Sequence, residues 1–409
     1  MRVLILGGSG LIGSALAHTL RQHGHPVSIL SRSDATDRID GDFRQLTSVA
    51  DWLPLLNNID VVVNAVGIFS ESATQSFADL HINAPQALFK ACEQCGLARV
   101  IQISALGAAV DAATPYWRSK GIADAALQAS SLDWSIIRPS LIYSPNGKSS
   151  RFFCSLASFP VLPDMQGIGQ VQPVHLDDVI ALLVKLVESS CGIRHIINVV
   201  GPQAMTLNQW WQQLRHAMGL RKTVNVGVYE WMQYLAIHAT KYLPNALFNR
   251  DSLSMLRAGN TADVKPFSAI LSRTPKAAQP DASQDAVKQA ALLAWLLPLL
   301  RFSLAAVWII TALVSWFFPR ADSYALLEQV GIAPPWQPLL FYSSIAIDAA
   351  FGVLCLLNRA WRLQLALVLF YSLIIAICLP QFLYHPFGPL LKNLPILALI
   401  YLFDQLKPR

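Results

Sequence analysis

The last third of this chain contains runs that a water-facing fold has no use for. Phe302–Phe318 is a 17-residue run without a charge, and Leu363–His385 has none either; Pro338–Leu357 carries only Asp348 and Pro386–Phe403 only Lys392. A bilayer core takes about 20 mostly apolar residues per helix, within a range of about 17–25. Inside lipid the backbone must satisfy its own N–H and C=O groups, which makes such runs helices. Four spans over residues 289–409 are therefore expected. The preceding AALLAWLLPLL (290–300) would make the first span too long, so Pro298 is expected to split off an interfacial piece, with Arg301 reaching toward the headgroups. Arg359 and Arg362 occupy the second loop, and Lys407 and Arg409 close the chain. Basic short loops face the cytoplasm, so a multi-pass protein of the cytoplasmic (inner) membrane is expected, with the N-terminal domain and the C-terminus on the cytoplasmic side. Asp348 and Lys392 either pair across the bundle or belong to a quinone, lipid or proton site.

The remaining bulk properties exclude several classes. Residues are 54% hydrophobic and 14% charged, and the net charge of +6 divides equally between residues 1–288 and the tail. No segment is dense enough in Lys/Arg to read as a nucleic-acid patch. Six cysteines in a chain of 409 residues do not make a disulfide framework. Cys92 and Cys95 form a C-x-x-C, but no second pair or paired histidines follow, and LFKACEQCG reads as a helix ending at Gly96; no metal site is expected. The opening MRVLILGGSG is too short in its apolar run for a signal peptide, which points to a domain folding in the cytoplasm.

That opening is informative in another way. Val3–Leu6 reads as a buried strand, GGSGLIG as a turn, and SALAHTLRQHG as a helix with apolar spacing at Leu11, Ala15, Leu16 and Leu20. Glycine at Gly7, Gly10 and Gly13 suits a tight strand exit, close approach of a pyrophosphate, and close helix-to-sheet packing. The helix start adds free N–H groups and a favourable dipole. The turn residues Gly7, Ser9, Gly10, Leu11, Ile12 and Gly13 are thus the expected phosphate cradle of a dinucleotide. The next strand, HPVSILSRS, ends in Ser31-Arg32 where an NAD site has a carboxylate. Arg32 can pair with a 2′-phosphate, which favours NADP(H) over NAD(H), with Asp34 as the competing carboxylate nearby. Asp42 in IDGDF stands where an adenine amino group can be met. DVVVNAVG (60–67) is a buried strand ending in the small residues Ala65 and Gly67, and ARVIQISALGA delivers Ser104 at a strand end. Alternating strands and helices imply an α/β doubly wound parallel sheet.

Ser104 precedes Tyr116 by twelve residues, and Lys120 follows Tyr116 by four in TPYWRSK. With these residues in register, the chain resembles the extended or atypical short-chain dehydrogenase/reductases. The resemblance runs from GGSGLIG through NAVG, Ser104 and YWRSK to LDWSIIRPSLIYSPNG, QPVHLDDVIALL and INVVGPQAMTLNQWW, covering about residues 1–270. Within that superfamily it looks most like the branch that includes the nucleotide-binding accessory subunit of respiratory complex I. The resemblance implies a small substrate lobe after Arg138-Pro139, with Pro139 beside the nicotinamide. It also implies a catalytic set in which Tyr116 moves a proton, Lys120 lowers the tyrosine pKa and binds the ribose, Ser104 positions the substrate oxygen, and Asn83 supports Lys120 through water. His175 with Asp177 and Asp178 reads as a helix start capped by one of the aspartates rather than a metal or acid–base site. VYEWMQYLAIHATKYL (228–243) either covers an apolar substrate, lies at a membrane surface, or packs into the core. The tail, in FSLAAVWIITALVSWFFP and PFGPLLKNLPILALI, is similar to the DoxX-like membrane family over about residues 290–405.

The resulting expectation is an enzyme in three parts. An NAD(P)-binding domain occupies residues 1–270, a linker 271–288, and a DoxX-like membrane domain 289–409. It is an NAD(P)H-dependent oxidoreductase acting on a carbonyl or alcohol, with a small-molecule or lipid-soluble substrate such as a quinone, isoprenoid or lipid-linked compound. Two alternatives stay open: a non-catalytic NAD(P)H-binding scaffold or redox sensor with a membrane protein partner, and an NAD-dependent nucleotide-sugar epimerase or dehydratase.

Overall fold

Parallel strands covered on both faces have to be apolar along their whole length. VLIL meets that requirement outright, and VVVN and RVIQI meet it apart from Asn64, Arg99 and Gln102; every residue of these three strands is buried. The computed structural model describes residues 1–31, 38–240, 249–281, 285–384 and 390–407. Its strands are β1 (Val3–Leu6), β2 (Val27–Ser31), β3 (Arg38–Asp40), β4 (Val61–Asn64), β5 (Arg99–Ile103), β6 (Trp134–Pro139), β7 (Ile142–Tyr143), β8 (Val161–Met165), β9 (Val174–His175), β10 (His195–Val199) and β11 (Val224–Val228). The helices of the front part are α1 (Leu11–Gln22), α2 (Val49–Trp52), α3 (Ala84–Gln94), α4 (Pro115–Gln128), α5 (Lys148–Ser158), α6 (Leu176–Glu188), α7 (Leu207–Ala217), α8 (Glu230–Thr240), α9 (Arg250–Ala258) and α10 (Lys265–Leu271). Those of the tail are α11 (Asp285–Phe317), α12 (Arg320–Gln329), α13 (Gln337–Leu356), α14 (Trp361–Cys378) and α15 (Asn393–Leu406).

Among the described residues one seven-stranded sheet runs in the order β10-β6-β5-β4-β1-β2-β3, parallel throughout. This is the doubly wound Rossmann arrangement, whose strand order reverses between β1 and β4. One face is covered by α1, α6 and α10 through Leu16, Leu20, Val179, Leu183 and Phe267; the other packs Trp52, Leu88 and Leu127. A third cluster, centred on Tyr143, Leu162, Trp210 and Trp211, forms the small lobe.

The chain divides into two compact units, Met1–Ala291 and Leu292–Arg409. The stretch expected to be a linker adheres to the first unit over much of its described length. Leu271 and Ala278 are buried, and Trp210 Nε1 donates to the Ala278 carbonyl at 2.9 Å.

The tail differs from its expectation in two respects. α11 continues unbroken through Pro298 for 33 residues, so no separate interfacial piece splits off. Three helices are long and apolar enough to cross a membrane, Asp285–Phe317, Pro334–Leu356 and Trp361–Cys378. The fourth expected span is α15, and its 14 described residues rise only about 21 Å against a core of about 30 Å. Within this unit Trp308, Cys355, Trp361, Ile400 and Phe403 form a core, and Trp361 stacks on Phe403 at 4.9 Å. Arg362 pairs with Asp404 at 3.2 Å. The described ion pairs include none between Asp348 and Lys392.

Candidate active site

Ligands of doubly wound sheets bind outside the carboxyl ends of the strands, at the point where strand order reverses. A cavity of about 470 Å³ lies there. The turn between β1 and α1 forms one side. Gly7 has φ +77°, and a Cβ on Gly13 would stand 2.4 Å from the Gly7 carbonyl oxygen, so only glycine lets α1 sit this close to the strand exit. Gly10 precedes the helix with no side-chain cap on the first turn, which leaves N–H groups for an anion. Gly10, Leu11 and Ile12 line the cavity together with Ala65 and Gly67 at the end of β4.

The opposite side is built by α4. Thr114 accepts from the Trp117 amide at the helix start, and Pro115 fits the first turn. A Cβ on Gly121 would lie 2.2 Å from the Ala109 carbonyl carbon, so the helix packs directly on the loop that follows β5. This close seating carries Tyr116 and Lys120 to the cavity wall, where Ser104 and Pro139 also lie. Lys120 is buried, and its Nζ donates to the carbonyls of Val66 (3.1 Å) and Ile103 (3.2 Å) at the ends of β4 and β5. Burial lowers its ammonium to about 8, with Asp124 acting in the opposite direction. Burial pushes the half-buried Tyr116 phenol up to about 12. That is opposite to the expected lowering by Lys120, because burial of the phenol sets the direction. At neutral pH Tyr116 holds its proton.

Two groups beneath the site had no reading in the sequence. Asp124, one turn beyond Lys120, is fully buried. It accepts from Ser104 Oγ at 2.8 Å and from Arg138 Nε and Nη2 at 3.0 and 2.8 Å. Burial raises its carboxyl, with Ser104 and Arg138 opposing. Ser104 therefore spends its hydroxyl proton on Asp124 and keeps its lone pairs for a ligand. The signal available was the four-residue spacing of Tyr116, Lys120 and Asp124 along one helix face.

The second group is His81. It accepts the Ile68 amide proton at Nε2 (3.1 Å), so Nδ1 carries the hydrogen and donates to Ser119 Oγ at 2.8 Å. Ser119 in turn donates to the Tyr116 carbonyl at 2.9 Å. The imidazole stacks on Phe77 and meets the Tyr116 ring edge-on at 5.9 Å. Burial first, and Lys120's charge second, depress its pKa to about 2. Asn83, by contrast, is exposed and reaches Asp79 at 3.5 Å, away from the cavity wall. A π-helical turn over Ala78–Asn83 explains the exchange: the wider turn changes the facing, so His81 and not Asn83 points inward.

The other expected residues scatter. Ser9 is exposed and does not line the cavity. Asp42 also lies off its wall, bonded bidentately to Arg44 Nε at 3.0 Å. Arg32 and Asp34, on which cofactor preference turns, lie outside the described residues. His175, not an aspartate, caps α6 by accepting from the Asp177 amide at 3.2 Å. Asp177 pairs with Lys276 at 2.7 Å, and Asp178 accepts the Lys276 amide at 2.6 Å, which binds the 273–276 segment down. Cys92 is buried with its thiol pushed up by burial, and Cys95 is exposed.

Comparison with known proteins agrees with the geometry. Residues 3–199 match the NAD dependent epimerase/dehydratase family, and residues 305–401 match the DoxX-like family. The chain is 26% identical over 217 residues to mouse mitochondrial NADH dehydrogenase [ubiquinone] 1 alpha subcomplex subunit 9. That match takes in 50% of this chain and 57% of the mouse protein, little more than half its length. The Dictyostelium discoideum protein of the same name is 18% identical over 265 residues, covering 61% of this chain and 73% of its own. Among solved structures, a nucleoside-diphosphate-sugar epimerase from Staphylococcus aureus superimposes with TM-score 0.55 at 16% identity, over 70% of this chain and all of that one. MoeE5 in complex with UDP-glucuronic acid and NAD gives 0.54 at 21% identity, over 71% and 100%. These likenesses establish the fold.

Proposed function

We propose that this chain, an epimerase/dehydratase-type NAD-binding Rossmann domain joined to a DoxX-like membrane domain, is a dinucleotide-dependent reductase of a carbonyl compound drawn from the membrane. The observation that carries the reading is the meeting of Tyr116, Lys120 and Ser104 in one cavity with the glycine turn and Pro139. The uncapped start of α1 and the glycine-only approach at Gly13 fit a dinucleotide pyrophosphate. When bound, the nicotinamide supplies the hydride. The residues do the rest. Ser104 orients the substrate oxygen by turning its hydroxyl proton from Asp124 to that oxygen. Tyr116, protonated at neutral pH, donates its phenolic proton to that oxygen, a task that suits reduction. Lys120 supplies the positive charge that stabilises the phenolate left behind.

The wall facing this set is largely apolar, with Phe69, Leu106, Phe152, Phe153, Met255 and Leu256. Among the described residues the lining cation besides Lys120 is Lys148. A nucleotide sugar brings two phosphates of its own, and this lining offers them little, so an apolar or lipid-soluble carbonyl compound is the better fit. NADP(H) over NAD(H) rests on the sequence position of Arg32 at the end of β2. The front domain then faces the cytoplasm from an inner membrane, a reading supported by the positive short loops.

A second reading, a nucleotide-binding subunit of a membrane complex that does not turn over, is favoured by the complex I relatives. The test is Tyr116→Phe in the full-length protein. Reductase action predicts unchanged dinucleotide affinity and loss of at least about 10²-fold in turnover against apolar ketones and quinones. Tight dinucleotide binding with no wild-type turnover across that panel would establish the second reading instead.

A further inference from the structure

α8 leaves most of its side chains in solvent. Trp231 and Leu235, one turn apart, are each 62% exposed, and Tyr229 and Met232 are exposed beside them. The preceding strand exposes apolar residues as well. β11 pairs in parallel with β8, Val224 opposite Val161, and both are exposed, with Val226 continuing the same face. Scattered surface apolar residues need no explanation, but such residues concentrated on two consecutive elements point to an interaction surface.

Charge indicates what covers it. Residues 220–260 hold Arg221, Lys222, Lys241, Arg250 and Arg257 against Glu230 and Asp251, a net +3 that equals the whole net charge of residues 1–288. Glu230 is turned away into a pair with Arg257 at 3.3 Å, whose guanidinium also lies 5.1 Å over the Tyr234 ring. Arg221, Lys222 and Arg250 remain exposed at the flanks. An aromatic and aliphatic helix face rimmed by cations is the composition that lies in the interface of an anionic bilayer, with tryptophan and tyrosine at headgroup depth. The same chain carries three helices long and apolar enough to cross a membrane, which would keep a bilayer surface within reach of the front unit.

We infer that the α8–β11 face is a membrane-docking surface that seats the Rossmann unit on an anionic bilayer. The contact has a consequence for the cavity. Arg257, which holds α8 through Glu230 and Tyr234, stands on α9, and α9 supplies Met255 and Leu256 to the cavity wall. Docking α8 brings that apolar wall to the lipid surface, where a lipid-soluble compound enters. The docking itself is independent of turnover: a protein that only binds nucleotide docks in the same way.

The test uses the full-length protein with Cys95, Cys191 and Cys378 replaced by serine, carrying an environment-sensitive fluorophore at Trp231→Cys or, as control, at the exposed Asp111→Cys. It is reconstituted into phosphatidylcholine vesicles containing phosphatidylglycerol. The expected result is a blue-shifted Trp231→Cys label quenched several-fold more by doxyl lipid than by iodide, with the reverse at Asp111→Cys. Combining Arg221→Glu, Lys222→Glu and Arg250→Glu should reduce the lipid quenching. A label at 231 that iodide reaches as readily as at 111 overturns the inference. So does a label shielded from both quenchers, which would assign the face to a protein. Lipid quenching indifferent to phosphatidylglycerol and to the charge reversals overturns the electrostatic part.

Discussion

The glycine turn can be tested by two substitutions whose effects should separate. An alanine at position 13 would place Cβ 2.4 Å from the Gly7 carbonyl oxygen and 2.9 Å from two further backbone atoms, where ordinary contact begins at 3.4 Å. α1 must therefore retreat from the strand exit by about 1 Å, an overpacking strain of about 1–3 kcal/mol. Since 1 kcal/mol moves the melting temperature of a domain of comparable size by about 2–4 °C, Gly13→Ala should melt roughly 2–12 °C below wild type. Gly10 differs: its backbone is extended at φ −80°, and a Cβ there meets only the Gly7 oxygen, at 3.2 Å. Gly10→Ala should melt close to wild type without ligand. In the bound state the added methyl stands where the pyrophosphate approaches, and loss of one charge-assisted hydrogen bond, about 1.5–3 kcal/mol, weakens affinity about 10- to 100-fold. The assay is differential scanning fluorimetry of the full-length protein in detergent, with and without NADPH and NADH, followed by calorimetric titration. If Gly13→Ala melts like wild type and Gly10→Ala binds like wild type, the turn is not a phosphate cradle held by close packing and the reasoning fails.

Lys120→Met tests the buried ammonium. With the folded pKa near 8 and the ordinary value at 10.5, the unfolded chain binds the extra proton between those values. Wild-type stability then rises with pH across pH 8–10.5 and carries the full penalty below pH 8. The variant should lose turnover, lose that slope, and gain about 1 kcal/mol at pH 7 once the two abandoned carbonyls are set against the relieved burial; a melting curve with the wild-type slope refutes it. His81 should act with the same sign in acid. Its folded value near 2 means that stability falls as pH drops below 6.5, and His81→Gln should flatten that fall in melts from pH 7 to 4. Asp124→Ala leaves the Arg138 guanidinium and Ser104 without their acceptor, so a loss of about 3–5 kcal/mol in thermal or urea unfolding is expected. Asp124→Asn, which still accepts, should lose less.

How much of this was legible in the residues follows from how local each cause is. The glycine spacing could be read because close backbone approach excludes a Cβ wherever strand, turn and helix meet in that order. The buried strands could be read because a sheet covered on both faces needs unbroken apolar runs. Tyr116 and Lys120 are one helical turn apart, and the cap at Thr114 and Pro115 is written in the same segment.

What lay beyond the sequence involves distance or register. Asp124 meets Ser104 from 20 residues away and Arg138 from 14, and no pattern along the chain announces that junction. In the π-helical turn over Ala78–Asn83 it is His81 that is buried and Asn83 that is exposed, because the wider turn changes the facing of the residues it holds. In the tail, hydropathy counted four runs, but where a helix starts is set by its caps and neighbours, and α15 begins only at Asn393. The tyrosine offers the clearest division. Sequence placed Tyr116 beside Lys120, whereas the direction of its pKa was decided by burial, a property of the folded surroundings.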